Sequence, residues 1–508
     1  MLRIAKKADH RPADPREARR LVSELHAGDA SRALEQIIAW LETLTALPEV
    51  RLDRRFESIG IFEEAAVPFE RRITRDYIRS ARLQSAHEQR LWGTAHDLWH
   101  QLAVAYHLCM MEYEASAAGA ASMRSSAPVM GCRAMRGLRQ ELRWILLRYG
   151  QVEARLWQDA ARIYRMAESR GFAQEKVTPC PGKSVCSTVE REFVKMLLLE
   201  VSSPNSLPPA QLDIAARLAS RCAEFVPMES AHRPAVTHSF DLAKNSPPQR
   251  GSHAQPGSAL RYLASGNALQ HLERVSKEMA HSGGGDTSQG AGYDPRMVRE
   301  VAQHLALYWS ANPPGRGSER HATMARISVV PGFQGLLDAL QGYVGGPFID
   351  DEAESWMAEN VSRGGYGAAI AQVKGDWVRV GSLVGIKPES APVWGVGVIR
   401  RMTRDDSKKR HVGIESLTKG AIPVRIAPAG SLGSGEGPDQ FPNAAVLGLS
   451  LKGSGEIDVV MEAGGFSSRL SMEMMVRGTP YLLTPIGFVE GGDDFDLARY
   501  RILRRDAA

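Results

Sequence analysis

Residues 393–401 read Val-Trp-Gly-Val-Gly-Val-Ile-Arg-Arg, and this stretch indicates the fold of the C-terminal half. β-Branched residues and tryptophan are typical of strands, and the stretch lacks the three-and-four spacing of an amphipathic helix. Similar runs, separated by turn residues without helical patterns between them, are residues 326–330, 355–360, 376–386, 411–417 and 423–427. They predict an antiparallel β-barrel, in which closure of the sheet removes exposed strand edges. A second β-rich set in residues 431–508 predicts an extension of this barrel or a companion subdomain.

The N-terminal part, residues 1–226, has helical patterning instead. Asp14 followed by Pro15 fits a helix cap and first turn, and a second amphipathic helix is predicted from Asp29. In residues 133–169 the apolar side chains recur at spacings of four and three, which predicts one continuous helix. The arginines around this stripe are predicted to form a solvated outer face: Arg139, Arg143, Arg148, Arg155, Arg162 and Arg165. We expect an all-α domain that serves protein interaction.

Residues 227–293 join the two parts of the chain. Serine, histidine, glutamine, glycine and proline occur there without periodicity, which predicts a flexible linker with a possible short helix at 258–280. Asp294 and Pro295 then fit the start of a helix that leads into a barrel domain assigned to residues 294–430. The predicted fold class is multidomain α + β: an N-terminal all-α domain, then a C-terminal antiparallel β-barrel with an additional β-rich segment.

The composition narrows the functional classes. The 508 residues are 43% hydrophobic and 24% charged, which indicates folded globular domains and excludes wholesale disorder. The 63 Lys and Arg against 58 Asp and Glu give too small an excess to identify a nucleic-acid-binding protein. No apolar run reaches the roughly 18 residues of a membrane span, the N-terminus lacks a leader-like apolar segment, and the five cysteines fit a reducing compartment. We expect a cytoplasmic protein, and no motif predicts an enzyme, a metal site or a cofactor.

Two short polar strings carry the chemistry: Arg316-Gly-Ser-Glu-Arg320 and Asn360-Val-Ser-Arg-Gly-Gly365. A planar guanidinium can donate two hydrogen bonds to a guanine edge or a phosphate, and it can also stack on a base. Asn360 and Ser362 offer side-chain hydrogen bonds in a turn at a strand end, while Gly365 permits positive φ and close approach of a flat base. The two strings are therefore candidate ligand contacts, although the second string taken alone is also typical of an ordinary β-turn.

Together the strings resemble the RxxxR and (D/N)xSxxG signature of the PilZ family, and residues 393–401 and 411–417 are similar to strands of its barrel. The resemblance implies a bacterial receptor domain for cyclic di-GMP. It assigns ligand contacts to Arg316, Arg320, Asn360, Ser362 and Gly365. Three neighbouring residues are additional candidates. Arg326 is a rival to the arginines of the first string, His321 can stack on a base, and Arg363 can reach a phosphate. The gap between the strings is longer than is usual in the family, and we expect the extra residues at 341–355.

The leading hypothesis is a non-enzymatic signalling effector. Cyclic di-GMP would order the loop before the barrel, reorient the helix at 294–311 and change a surface of the helical domain that an unidentified partner protein recognises. The family implies an output in motility, adhesion or biofilm formation. One alternative is an adaptor whose PilZ-like barrel no longer binds nucleotide, which the longer gap would suit. A nucleic-acid-binding regulator that uses the arginines of residues 133–169 is the less favoured alternative.

Overall fold

The structure is a computed structural model of the chain. It describes residues 11–79, 85–180, 185–233, 236–251, 259–281, 292–315, 319–345, 353–370, 375, 377–405, 407, 409–431, 442–448 and 454–505. The chain divides into two compact units between residues 315 and 316. Helices dominate the first unit and antiparallel strands the second, which confirms the predicted fold class.

Eight α-helices build the N-terminal part of the first unit within the described residues. They are Pro15–Ser23 (α1), Ala30–Ala46 (α2), Leu52–Arg79 (α3), Ser85–Glu114 (α4), Ala127–Leu147 (α5), Ala154–Ser169 (α6), Val189–Val201 (α7) and Pro209–Cys222 (α8). Short 3-10 helices lie at Arg11–Ala13, Ala120–Ser126, Pro204–Ser206 and Ala223–Phe225. The predicted cap at Asp14 is confirmed, because Asp14 accepts a hydrogen bond from Arg16 N at 2.8 Å. The helix predicted from Asp29 is also present, and Asp29 caps it by accepting a hydrogen bond from Arg32 N at 3.0 Å. None of the helices described combines the length and apolar character needed to cross a membrane.

The stretch predicted as one helix at 133–169 is divided between α5 and α6. Tyr149 lies between them with φ of +57°, in the left-handed region that ends many helices. The N–H of Gly150 donates to the carbonyl oxygen of Ile145 at 3.0 Å and closes the end of α5. Both helices pack in the same core, so the apolar spacing continues through the turn and conceals it in the sequence.

Arg139 and Arg143 on α5 do not form the solvated face that the sequence predicts. Arg143 pairs with Asp213 on α8, and Arg139 Nε lies 3.1 Å from Glu192 Oε2 on α7. The two guanidinium side chains are only 6% and 13% exposed. A buried guanidinium requires a carboxylate partner to offset its lost hydration, so each pair fixes α5 to a neighbouring helix. Helical spacing alone cannot show whether an arginine faces water or a buried carboxylate.

The stretch predicted as a flexible linker contains ordered elements. Four strands form an antiparallel sheet in the order β1-β4-β2-β3: Met228–Glu229 (β1), His238–Asp241 (β2), Gln249–Arg250 (β3) and Leu260–Leu263 (β4). Helix Gly266–His281 (α9) follows where the sequence predicts a short helix. Strands of two to four residues are too short to display alternation, which explains why the sequence predicts a linker here.

Helix Pro295–Trp309 (α10) ends the first unit. Its predicted cap is confirmed, since Asp294 accepts a hydrogen bond from Arg296 N at 2.9 Å. Val298, Leu305 and Trp309 are fully buried in the core that α1 to α9 also build. The helix that the sequence assigns to the barrel domain therefore packs within the helical unit.

The second unit begins with a closed six-stranded antiparallel barrel. Its strands are His321–Pro331 (β5), Glu354–Ser362 (β6), Gly365–Ile370 (β7), Leu383–Pro388 (β8), Gly395–Arg404 (β9) and Arg410–Thr418 (β10). The order around the barrel is β10-β7-β6-β5-β8-β9, and β10 pairs with β9 to close it. The barrel predicted from residues 393–401 and the runs around them is thus present.

A second closed barrel follows directly. Its strands are Ala421–Pro428 (β11), Asn443–Leu447 (β12), Ser454–Glu462 (β13), Met472–Val476 (β14), Thr479–Gly491 (β15) and Phe495–Arg504 (β16), in the order β11-β12-β13-β16-β15-β14. Strand β11, which the sequence places in the first barrel, pairs with β12 and β14 of the second. Of the two predicted possibilities for residues 431–508, the structure shows the companion subdomain.

Helix Gly332–Gly345 (α11) lies between β5 and β6, where the sequence predicts no helix. Phe333, Leu336, Leu337 and Leu340 have helical spacing and pack in one core with residues of both barrels. Asp494 from the loop before β16 accepts a hydrogen bond from Phe333 N at 2.7 Å and so caps the start of the helix. The helix therefore joins the two barrels.

Candidate ligand-binding site

The pairing of β5 with β6 brings the two motif strings together. His321 pairs with Val361, so Arg320, directly before β5, lies beside the end of β6 at Ser362. Arg316 lies outside the described residues. The extra residues between the strings begin at Gly332, earlier than the predicted 341–355, because helix α11 follows β5 directly and β6 begins at Glu354.

A tight turn joins β6 to β7 and contains the second motif string. The hydroxyl of Ser362 donates to the carbonyl oxygen of Gly365 at 3.4 Å. Gly365 has φ of +153°, and a Cβ at this position would lie 1.9 Å from the carbonyl oxygen of Ile414. Only glycine fits there without moving the backbone. Arg363 occupies the exposed tip of the turn.

Asn360 lies on the outer face of the barrel. One row across the strands is buried inside, with its side chains 1–3% exposed: Ala358, Ala368, Val412 and Met402. The adjacent row points outward: Asn360, Gly367, Gly413 and Arg401. Side chains alternate along β7, β9 and β10, and on β6 an irregularity between Ala358 and Asn360 turns Asn360 to the same side. The amide of Asn360 covers Gly367, where an added Cβ would lie 2.5 Å from Nδ2 and 2.6 Å from Oδ1. We call the outer surface of β5, β6, β7 and β10 that carries Asn360, Ser362, Gly365 and Gly367 the motif face.

Exposed arginines surround the motif face. Four of them form no ion pair with any residue in the described ranges: Arg320, Arg326, Arg363 and Arg401. Arg326 pairs in register with Met357 on β6 and projects on the same side of the barrel as Asn360. Guanidinium groups without carboxylate partners keep their donors available for a planar anion.

His411 on β10 lies between two carboxylates. Its Nδ1 is 3.1 Å from Oε2 of Glu359, and its Nε2 is 3.1 Å from Oδ2 of Asp405. Partial burial lowers the pKa of His411, but the hydrogen bonds that its ring donates to Asp405 and Glu359 outweigh burial, so the pKa is raised. Hydrogen bonds from Ser407 and His411 lower the pKa of Asp405 to about 2. Because Glu359 is on β6 and His411 on β10, this contact spans β7 and ties three neighbouring strands together.

The opposite wall of the first barrel is covered. Leu383, Val396 and Val398 pack in one core with Leu336 of α11 and Phe495 of the second barrel. On the motif face Asn360 and Ser362 are half-buried and the surrounding arginines are exposed, whereas Gly365 and Gly367 are buried. The motif face is therefore the wall of this barrel that a ligand can reach.

The motif strings predict Asn360, Ser362 and Gly365 as neighbours, and the structure brings them together at one end of β6 and β7. Gly413 and Arg401 belong to the same outward row but are not part of the two motif strings. The signal for Gly413 was a glycine inside the β-pattern of residues 411–417, which often marks a close approach by a ligand or another chain.

Residues 16–233 match the model of a protein family described as the N-terminal domain of the cyclic-di-GMP receptor FimW. The match spans α1 to α8 and ends before both barrels. No curated protein sequence matches the chain significantly. Over its helical part, the chain is thus similar to a domain of a cyclic di-GMP receptor.

Proposed function

We propose that this protein is a cyclic di-GMP receptor and that the motif face of its PilZ-like first barrel binds the ligand. The single observation that carries the proposal is the β5–β6 register. It sets Arg320 beside Ser362 although a whole helix separates the two strings in the sequence.

The chemistry of the motif face suits the two halves of the ligand. Arg316 and Arg320 provide guanidinium donors for the phosphates and for the O6 and N7 acceptors of guanine. Asn360 and Ser362 supply amide and hydroxyl groups at the same end of the barrel. Gly365 gives the turn that carries Ser362 its shape, because the carbonyl oxygen of Ile414 occupies the place that a Cβ would take. Arg326, His321 and Arg363 provide further contacts around the edge.

The comparison with known families supports the same ligand, because the family that matches the helical part is described as a cyclic di-GMP receptor. A cavity in the helical unit is a poorer site. Its volume is about 130 Å³, and it is lined by Glu63, Glu70 and Trp99 among others. Pockets for drug-sized ligands usually measure about 300–1,000 Å³, and of the two arginines that also line this cavity, Arg71 and Arg136, the latter is already paired with Glu63.

The proposed signal passes through the segment that joins the units. Arg316 follows directly on residue 315, where the helical unit ends, and Arg320 adjoins β5. A ligand that holds both arginines against the motif face fixes this segment and shifts the populations of the receptor. Because α10 is buried in the helical unit, the segment after it, rather than α10 itself, is the element that responds. A partner protein would read the change through the helical unit, in the cytoplasm, to control motility, adhesion or biofilm formation.

The two alternative functions predict different binding properties. An adaptor with a degenerate barrel would have the same fold but no nucleotide affinity. A nucleic-acid-binding regulator would need free arginines on α5 and α6, yet Arg139 and Arg143 are engaged in buried ion pairs. This pairing favours the receptor over the nucleic-acid-binding protein.

Calorimetric titration of the full chain with cyclic di-GMP tests the proposal. We expect saturable binding that Arg320→Ala or Asn360→Ala weakens by roughly 5- to 150-fold, the equivalent of about 1–3 kcal/mol for a lost guanine contact. Arg501→Ala removes an exposed strand arginine from the second barrel and is the matched control, which should bind as the parent protein does.

Absence of binding at tens of micromolar ligand would overturn the receptor and favour the adaptor. Salt-dependent binding of a labelled oligonucleotide, without binding of cyclic di-GMP, would instead support the nucleic-acid-binding protein.

A further inference from the structure

Gly413 is a strand glycine that the fold does not require. It lies within β10, and its φ is outside the left-handed region. A Cβ at this position would meet only Cβ of Arg401, at 3.5 Å, which is an ordinary van der Waals contact. The neighbouring irregularity inserts its extra residue, Arg400, on β9 and not on β10. Glycine inside a strand lowers stability, so its presence here indicates another constraint.

The surroundings of Gly413 indicate that constraint. Gly413 lies on β10 next to Gly367 of β7, and the amide of Asn360 covers Gly367. On the other side Gly413 pairs with Arg401 of β9. Neighbouring strands are about 4.8 Å apart, so Asn360 and Arg401 lie three strand spacings, roughly 14 Å, from each other along this row. The surface at Gly413 is therefore backbone without a side chain, and it lies between the amide of Asn360 and the guanidinium of Arg401.

Arg401 has the freedom that ligand binding needs. It is exposed and forms no ion pair with any residue in the described part of the chain. The preceding Arg400, in contrast, is held by Glu415 at 2.6 Å and Glu490 at 2.7 Å. The two adjacent arginines thus have different roles. Arg400 is held in ion pairs, and Arg401 keeps its donors available for a planar acceptor.

We propose that Gly413 on the motif face and Arg401 on the adjoining strand β9 form a subsite that takes a guanine base of cyclic di-GMP. The base lies flat on the backbone at Gly413, and Arg401 donates hydrogen bonds to its O6 and N7 edge. This subsite rests on the proposed function, and it adds two residues that lie outside the two motif strings. Glycine is needed at position 413 because any larger side chain would lift the base out of reach of Arg401.

Substitution of Gly413 by valine tests the subsite. Valine is favoured in strands, and a Cβ at this position makes one ordinary contact, so we expect Gly413→Val to unfold at the same temperature as the parent protein or higher. We expect its affinity for cyclic di-GMP, measured by calorimetry on the full chain, to fall by about tenfold or more. Arg401→Ala should cause a loss of similar size. Gly487→Val places the same side chain at an open strand position of the second barrel and should leave affinity unchanged.

The outcomes separate the subsite from the receptor proposal. If the parent protein binds cyclic di-GMP and both Gly413→Val and Arg401→Ala bind equally well, the subsite is wrong and the receptor stands. If the parent protein does not bind, the receptor itself fails. If Gly413→Val unfolds early while Arg401→Ala binds normally, Gly413 has a structural role and the subsite is again refuted.

Discussion

Gly365 and Gly413 lie on neighbouring strands of the first barrel, yet glycine occupies the two positions for different physical reasons. At Gly365 the backbone adopts positive φ, and the carbonyl oxygen of Ile414 occupies the place of a side chain. At Gly413 a Cβ would make only one ordinary contact, with Cβ of Arg401. The sequence motif includes only the first of these positions. A motif string records the residues of one turn, whereas the strand pairing that adds Gly413 depends on contacts distant in sequence.

Substitution of Gly365 by alanine should destabilise the first barrel. The added Cβ would lie 1.9 Å from the carbonyl oxygen of Ile414, so the turn must move or remain strained. We expect a loss of about 1–3 kcal/mol in the free energy of unfolding, measured by urea denaturation of the full chain. Gly413→Ala is the control and should cost little, because its Cβ has an ordinary contact only. Equal stability of the two variants would show that the turn is not constrained as the structure indicates.

At the scale of elements, capping residues were the most predictable feature. Asp14, Asp29 and Asp294 each begin a helix as the sequence predicts, since a cap depends on residues only two or three positions apart. Helix α11 was not predicted. The sequence of Gly332–Gly345 is apolar and helical in spacing, but the β-pattern on both sides of it favoured strands. Only packing against two barrels shows why the chain forms a helix there.

The contribution of His411 to the stability of the first barrel, where it links β6 and β10 across β7, should depend on pH. His411 forms its contacts to Glu359 and Asp405 most strongly when protonated, and its pKa in the folded state is raised. A raised folded pKa means that the added stability is fully present below the unfolded value of about 6.5. It is lost as the pH rises through the folded pKa.

We therefore expect His411→Gln to lower the unfolding temperature of the full chain more at about pH 6 than at about pH 9. Thermal unfolding followed by circular dichroism at both pH values measures the difference. His321→Gln replaces an exposed histidine at the start of β5 and serves as the control. A loss in His411→Gln that is the same at both pH values would contradict a role for the charged imidazole.

At the scale of the whole molecule, the sequence predicts helices followed by a β-rich part, and the structure confirms this order. It does not predict where the units divide. Helix α10 has a clear cap and an apolar face, but nothing local tells which core that face joins. The small sheet at β1 to β4 was not predicted either, because its short strands can be identified only from their pairing with one another.

The two lines of support for the receptor lie in different units. The family similarity covers residues 16–233, in the helical unit, whereas the proposed ligand contacts lie on the first barrel. A receptor of this kind would divide its tasks, with binding on the barrel and output through the helices. The proposed receptor therefore requires that cyclic di-GMP binds to the first barrel.

Hydrogen–deuterium exchange of the full chain, with and without saturating cyclic di-GMP, tests this location most directly. We expect slower exchange in residues 319–326, 354–370 and 410–418, because these segments form or adjoin the motif face. The second barrel serves as an internal reference and should change little. Protection confined to residues 16–233, with the first barrel unaffected, would contradict the proposal and place the ligand in the helical unit.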